Sequence, residues 1–113
     1  MSTNALNVMT LSTALEKALI QSLTTTPAGS RLILAPNLLA QFFEVLSETL
    51  AYTQAEGFQR VAILCDARIR RELRLLIERA APHTPVIAYT EIAPGFCIQN
   101  VRTLELKELT LPE

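Results

Sequence analysis

The stretch Val61–Asn100, VAILCDARIRRELRLLIERAAPHTPVIAYTEIAPGFCIQN, decides the fold class of this chain. Val61 to Cys65 is a continuous apolar run, the pattern of a strand buried on both faces. Asp66 follows as a candidate helix N-cap. From Ala67 to Ala81 the apolar positions Ile69, Leu73, Leu76, Ile77 and Ala80 recur at helical spacing. Arg68, Arg70, Arg71, Glu72, Arg74, Glu78 and Arg79 occupy the other side. Pro82 and Pro85 end that helix, and Val86 to Tyr89 reads as the next strand. Strand, helix and strand at this spacing make a βαβ unit, which is expected to be parallel and right-handed. Pro94-Gly95 is a turn, and Phe96 to Leu106 reads as a final extended segment.

Upstream, Leu6 to Leu11 is a candidate strand. Ser12 or Thr13 opens a helix in which Thr13-Ala14-Leu15-Glu16 fits a capping box, with Glu16 reaching back to the cap amide. Leu15, Leu19 and Leu23 share one side of it. Thr24 to Ser30 carries Pro27 and Gly29 and reads as a loop, and Arg31 to Ala35 as a short strand. Pro36 suits the first turn of a helix, where its missing N–H would be unpaired anyway. Leu38, Leu39, Phe42, Phe43, Leu46 and Leu50 form its apolar stripe, and Gly57 is placed to stop it in the left-handed conformation. The order β-α-β-α-β-α-β-β predicts an α/β fold. It is a small single domain over 1–113, with a mixed β-sheet containing a parallel βαβ unit, three helices packed on it, and a flexible tail over 107–113.

Composition narrows the function classes. The formal net charge of −1 argues against non-specific nucleic-acid binding, which needs a cationic excess. Half of the residues are apolar, 50%, and Trp is absent. This points either to a Leu-rich aliphatic core or to a face covered by a partner. Cys65 and Cys97 lie far apart, without a CxxC motif, and His83 stands alone, so neither a zinc site nor another metal or cofactor is expected. Both cysteines lie in or beside apolar runs and are expected to be buried free thiols. No signal peptide is visible at the start of the chain, and no run approaches the roughly 20 apolar residues of a membrane span. The chain as given is expected to be soluble and to make no membrane contact, which is compatible with its being one piece of a larger membrane protein.

The chemistry-bearing residues each admit a structural and a functional reading. Cys65 and Arg71 have the spacing of a phosphatase thiolate and its anion-binding arginine, but the intervening residues contain no glycine and Asp66 would repel the anion. The arginines of the 67–81 helix either form a solvated face, with Glu72 paired to its neighbours, or grip phosphate or an acidic protein. Glu91 follows a parallel strand at the edge where α/β ligands bind, yet it has no companion acid or histidine and also reads as a turn residue. Tyr89 reads as strand packing and His83 as a surface loop residue.

The order of several of these segments resembles the last part of the type III secretion export-gate family. The segments are Val61-Ala62-Ile63-Leu64, Arg70-Arg71, Leu76-Ile77-Glu78 and Pro85-Val86-Ile87-Ala88-Tyr89-Thr90-Glu91-Ile92-Ala93-Pro94, followed by Ile98-Gln99. The Ala35-Pro36 helix and the Leu6 to Glu16 entry also match, so the resemblance covers nearly the whole chain. Cys65-Asp66 departs from the family's small hydroxylated pair, and Ala88 from its common Ser. The resemblance implies a non-catalytic, C-terminal cytoplasmic subdomain of an inner-membrane protein, part of a ring, typically nonameric. It implies contacts with neighbouring subunits and the stalk of the secretion ATPase. Export chaperones and substrates would dock mainly on other subdomains. The candidate contact residues are Arg68, Arg71, Arg74 and Glu78 on the arginine helix, and Glu91. The alternative is a small enzyme or ligand-binding domain using Cys65, Asp66 and Glu91.

Overall fold

The computed structural model describes residues 5–58 and 60–106. Four strands form a wholly parallel sheet in the order β5-β4-β1-β6: β1 Ala5–Leu11, β4 Ala62–Cys65, β5 Val86–Ala88 and β6 Cys97–Leu104. Between β1 and β4 lie helix α1 (Thr13–Gln21), an antiparallel hairpin of β2 (Leu23–Thr26) and β3 (Gly29–Leu32), and helix α2 (Pro36–Ala55). Helix α3 (Arg70–Ile77) joins β4 to β5. The α/β class, the three helices and the parallel βαβ unit match expectation, and the antiparallel pairing stands in a separate two-stranded sheet. The tail expected over 107–113 lies outside the described residues.

Strand alternation separates two sheet faces. Met9, Leu11, Ile63, Cys65, Val86 and Leu104 join Leu15 and Leu19 of α1, Phe42 and Leu46 of α2, and Leu73 and Ile77 of α3 in one core. Val8, Ala62 and Leu64 alternate to the opposite face and are buried as well, as the unbroken apolar run of β4 predicts. The final strand pairs with β1 from Ala5↔Cys97 to Leu11↔Leu104, with a register shift between Val8 and Met9 that leaves Val101 as the extra residue.

Several boundaries differ from the sequence reading, each for a local reason. The stretch read as a loop is half strand, because Leu23 and the β-branched threonines Thr24, Thr25 and Thr26 pair with Leu32, Arg31, Ser30 and Gly29. Leu23 therefore leaves the α1 stripe, and the strand read over Arg31 to Ala35 begins and ends earlier, at Gly29–Leu32. The N-cap of α1 is Ser12, whose Oγ accepts the Leu15 N–H at 3.2 Å. Asp66 does not cap α3: its carboxylate accepts the Arg68 N–H at 2.8 Å, which holds a turn over 67–69 and delays the helix to Arg70. Gly57 stops α2 at φ +90°, as expected. Cys97 is exposed, so only Cys65 is a buried thiol, because the front of β6 stands at the sheet edge away from the core.

Candidate functional site

The carboxyl edge of the sheet, where α/β ligands usually sit, gathers Cys65, Asp66, Glu91 and Glu16. Most of their polar capacity is spent inside the protein. The Asp66 N–H donates to Glu16 Oε2 at 2.8 Å, so Glu16 ties α1 to the end of β4 instead of closing its own capping box. The Ala88 N–H donates to Glu91 Oε1 at 2.7 Å, and Arg70 Nε stands 3.5 Å from the same oxygen. Glu91 thus caps the 3-10 turn Tyr89–Glu91 and anchors the start of α3, as its turn-residue reading expects. Tyr89 lies on that turn and is exposed, not packed in the strand. Sequence reasoning missed the Glu16 bridge, since nothing in the spacing of residues 16 and 66 marks a contact between α1 and β4.

Cys65 is fully buried, and burial, followed by the nearby Glu16 and Asp66 carboxylates, pushes its thiol up to about 12. A thiol held that high is neutral at physiological pH and is a poor nucleophile. Asp66 makes a two-point ion pair with Arg68, Nε to Oδ1 at 3.1 Å and Nη2 to Oδ2 at 3.0 Å. The Arg68 side-chain and backbone hydrogen bonds hold the Asp66 carboxyl below its usual range. The same carboxylate raises the Arg68 guanidinium further.

The arginine helix divides into engaged and open positions. Arg71 and Glu78 are exposed, and Arg68 is exposed although paired with Asp66. Arg74 departs from the expected exposed position. It is half-buried, its Nη2 donates to the Pro82 carbonyl at 3.1 Å, and its Nη1 is buried without a partner among the described residues. This follows from its place in the last turn of α3, from which its guanidinium reaches the loop before β5. Glu72 makes no ion pair with its arginine neighbours among the described residues, whose two ion pairs are Arg68–Asp66 and Arg70–Glu91. The structure thus brings Asp66, Arg68, Arg70 and Glu91 together at the sheet edge and leaves Arg71 and Glu78 open to solvent.

The FHIPEP family matches residues 1–96. The chain belongs to the FHIPEP family. Among its relatives, the flagellar biosynthesis protein FlhA of Bacillus subtilis is 29% identical over 102 residues, covering 89% of this chain and 15% of that protein. The nonameric SctV-C assembly of EPEC superposes with a TM-score of 0.75 at 27% identity, covering 88% of this chain and 29% of that one. The Chlamydia pneumoniae CdsV protein in its complex with CdsO superposes with a TM-score of 0.74 at 29% identity, covering 92% and 30%. This FHIPEP chain therefore spans about a seventh of the curated relative and under a third of the solved ones. No helix among the described residues is long and apolar enough to cross a membrane.

Proposed function

We propose that this chain is the C-terminal cytoplasmic subdomain of a type III secretion export gate, a non-catalytic module for protein contacts. In this reading it forms part of a ring at the cytoplasmic face of the bacterial inner membrane. The ring receives export substrates and chaperones, mainly through subdomains outside this chain, and meets the stalk of the secretion ATPase. The observation that carries the reading is the match of nearly the whole described fold to one part of a nonameric assembly, SctV-C. The likeness to CdsV, solved together with CdsO, supports a partner-binding role.

The contact surface we assign is the open part of α3 and the turn before it: Arg71, Glu78 and the outer side of Arg68. Glu91 adds to it at the sheet edge, half of its side chain exposed beside Arg70. Arg74 belongs to the surface through its position, with its charge partly spent on Pro82. Exposed charges of this kind steer association and set partner choice more than they add affinity. Charge reversal at Arg68 and Arg71 is expected to weaken binding of the ATPase stalk protein or of neighbouring subunits by about tenfold or more, with an unchanged circular dichroism spectrum. Unaltered binding by calorimetry would sink the assignment. The alternative, a thiol enzyme at Cys65, Asp66 and Glu91, is disfavoured by the burial of Cys65 and by the commitment of Glu91 to the Ala88 N–H.

A further inference from the structure

One apolar side chain stands on the charged side of α3. Leu73 and Ile77 turn inward and are fully buried. Leu75 lies on the opposite side of the helix, half-buried and outside the core cluster. Arg71 and Glu72 stand one turn before it, and Glu78 and Arg79 one turn after it. The Ala80 and Ala81 N–H groups both donate to the Ile77 carbonyl, which carries the helical path past the end of α3 through Glu78 and Arg79. Arg71, Glu78 and Arg79 are exposed and Glu72 is half-buried. None of the four takes part in the ion pairs among the described residues, Arg68–Asp66 and Arg70–Glu91. Leu75 also lines a groove of about 370 Å³ between α3 and the hairpin, together with Arg31 of β3. Arg74, to one side, is held on the Pro82 carbonyl. A half-open leucine ringed by uncommitted charges of both signs has the layout of a contact surface, an apolar centre with a polar rim.

The order of these charges selects the occupant. On a helix, the side chains four before and three after a given residue lie to one side of it, and those three before and four after lie to the other. Arg71 and Glu78 therefore flank Leu75 on one side, and Glu72 and Arg79 on the other. Lay a second copy of the helix antiparallel across Leu75, related by a two-fold axis. Each residue ahead of the leucine then meets the residue behind it on the same side of the other copy. Arg71 meets Glu78 of the second copy, Glu72 meets its Arg79, and symmetry makes each pair twice around a contact between the two leucines. We propose that α3 is a self-recognition surface, which pairs antiparallel with α3 of a second copy of this chain, centred on Leu75. The arrangement also sets the opposed ends of the two helix dipoles side by side. The patch is one short helix, 8 residues in α3 itself, so the contact is smaller than a standard interface and the dimer is weak and reversible. Arg71 and Glu78 also belong to the surface assigned above to partner proteins, so pairing covers that surface in chains that are not engaged. The inference does not rest on the export-gate reading, since it uses only this chain's own face. The two fail separately, because partner binding is measured on dilute, monomeric chain.

The test is sedimentation equilibrium of the intact chain and of charge variants. The parent is expected to show a monomer–dimer equilibrium in the sub-millimolar range, weakened by added salt. Arg71→Glu alone, or Glu78→Arg alone, is expected to weaken it about tenfold or more, since each turns both symmetry-related pairs from attractive to repulsive. The double variant Arg71→Glu with Glu78→Arg is expected to associate as the parent does, because the swapped charges meet again. Mixing the two single variants is expected to give a heterodimer where neither pairs alone. Both positions are exposed, so the variants keep their circular dichroism spectra and thermal melts. The proposal is overturned if the chain shows no dimer at about 1 mM, or if the single reversals leave the dimer unchanged. It is also overturned if the double variant or the mixture fails to recover association. A parallel pairing gives that last result, because it sets the swapped charges beside Glu72 and Arg79 of like sign.

Discussion

Two residues at the sheet edge carry much of what can be tested at the residue scale. Glu16 reads in the sequence as a capping residue of its own helix, yet it accepts the Asp66 N–H across the fold. Glu16→Ala leaves that amide at the end of β4 without its acceptor and is expected to cost about 1–3 kcal/mol in urea unfolding. Glu16→Gln keeps a carbonyl acceptor and is expected to recover most of the loss. Cys65 makes a pH prediction with a definite sign. Its thiol has an ordinary value of 9.0 and sits near 12 in the folded protein. Between these values the unfolded chain has lost the proton and the folded chain still holds it. Stability is therefore unaffected below pH 9 and falls as pH rises through the interval, by up to about 1.4 kcal/mol per pH unit. Urea midpoints measured at pH 8 and pH 10 are expected to diverge less in Cys65→Ala than in the parent. A thiol reagent at neutral pH is expected to modify Cys97 at once and Cys65 only on unfolding, which distinguishes the exposed from the buried cysteine. Rapid modification of Cys65 in the native chain would restore the enzyme reading.

Elements were legible where an apolar stripe was flanked by clear start and stop residues. The long stripe of α2, its Pro36 start and its Gly57 stop all appear where the residues place them. A Cβ at Gly57 would meet nothing within 4 Å, so the cost of Gly57→Ala is the left-handed backbone alone, about 1–2 kcal/mol by thermal unfolding. The β2–β3 hairpin was not legible, because Pro27 and Gly29 signal a break while the flanking threonines are equally at home in a loop or a strand. Pairing with the segment Gly29–Leu32 decides between them. The short α3 shows the same competition. Asp66 has the residue type of an N-cap, but its carboxylate closes a turn with Arg68 and the helix begins at Arg70.

At the scale of the whole molecule, β6 is the element that ties the fold together from outside the family match, which ends at residue 96. Leu104 is fully buried in the core and Leu106 nearly so, although most of the strand before them is exposed. Leu104→Ala is expected to cost about 2–5 kcal/mol by chemical denaturation, a core-sized loss at the end of an edge strand. A cost near zero would mean that β6 does not dock against β1 in solution. Local pattern by itself determined the α/β class, the βαβ unit and the apolar stripes, because side-chain periodicity follows from helix and strand geometry within a few residues, and the order of particular segments from Val61 to Gln99 carried the family resemblance. The strand order, the pairing of β6 with β1 and the bridge from Glu16 to Asp66 were decided only by the tertiary structure. Each of them joins residues tens of positions apart, where no sequence spacing records the contact and packing of the core selects it.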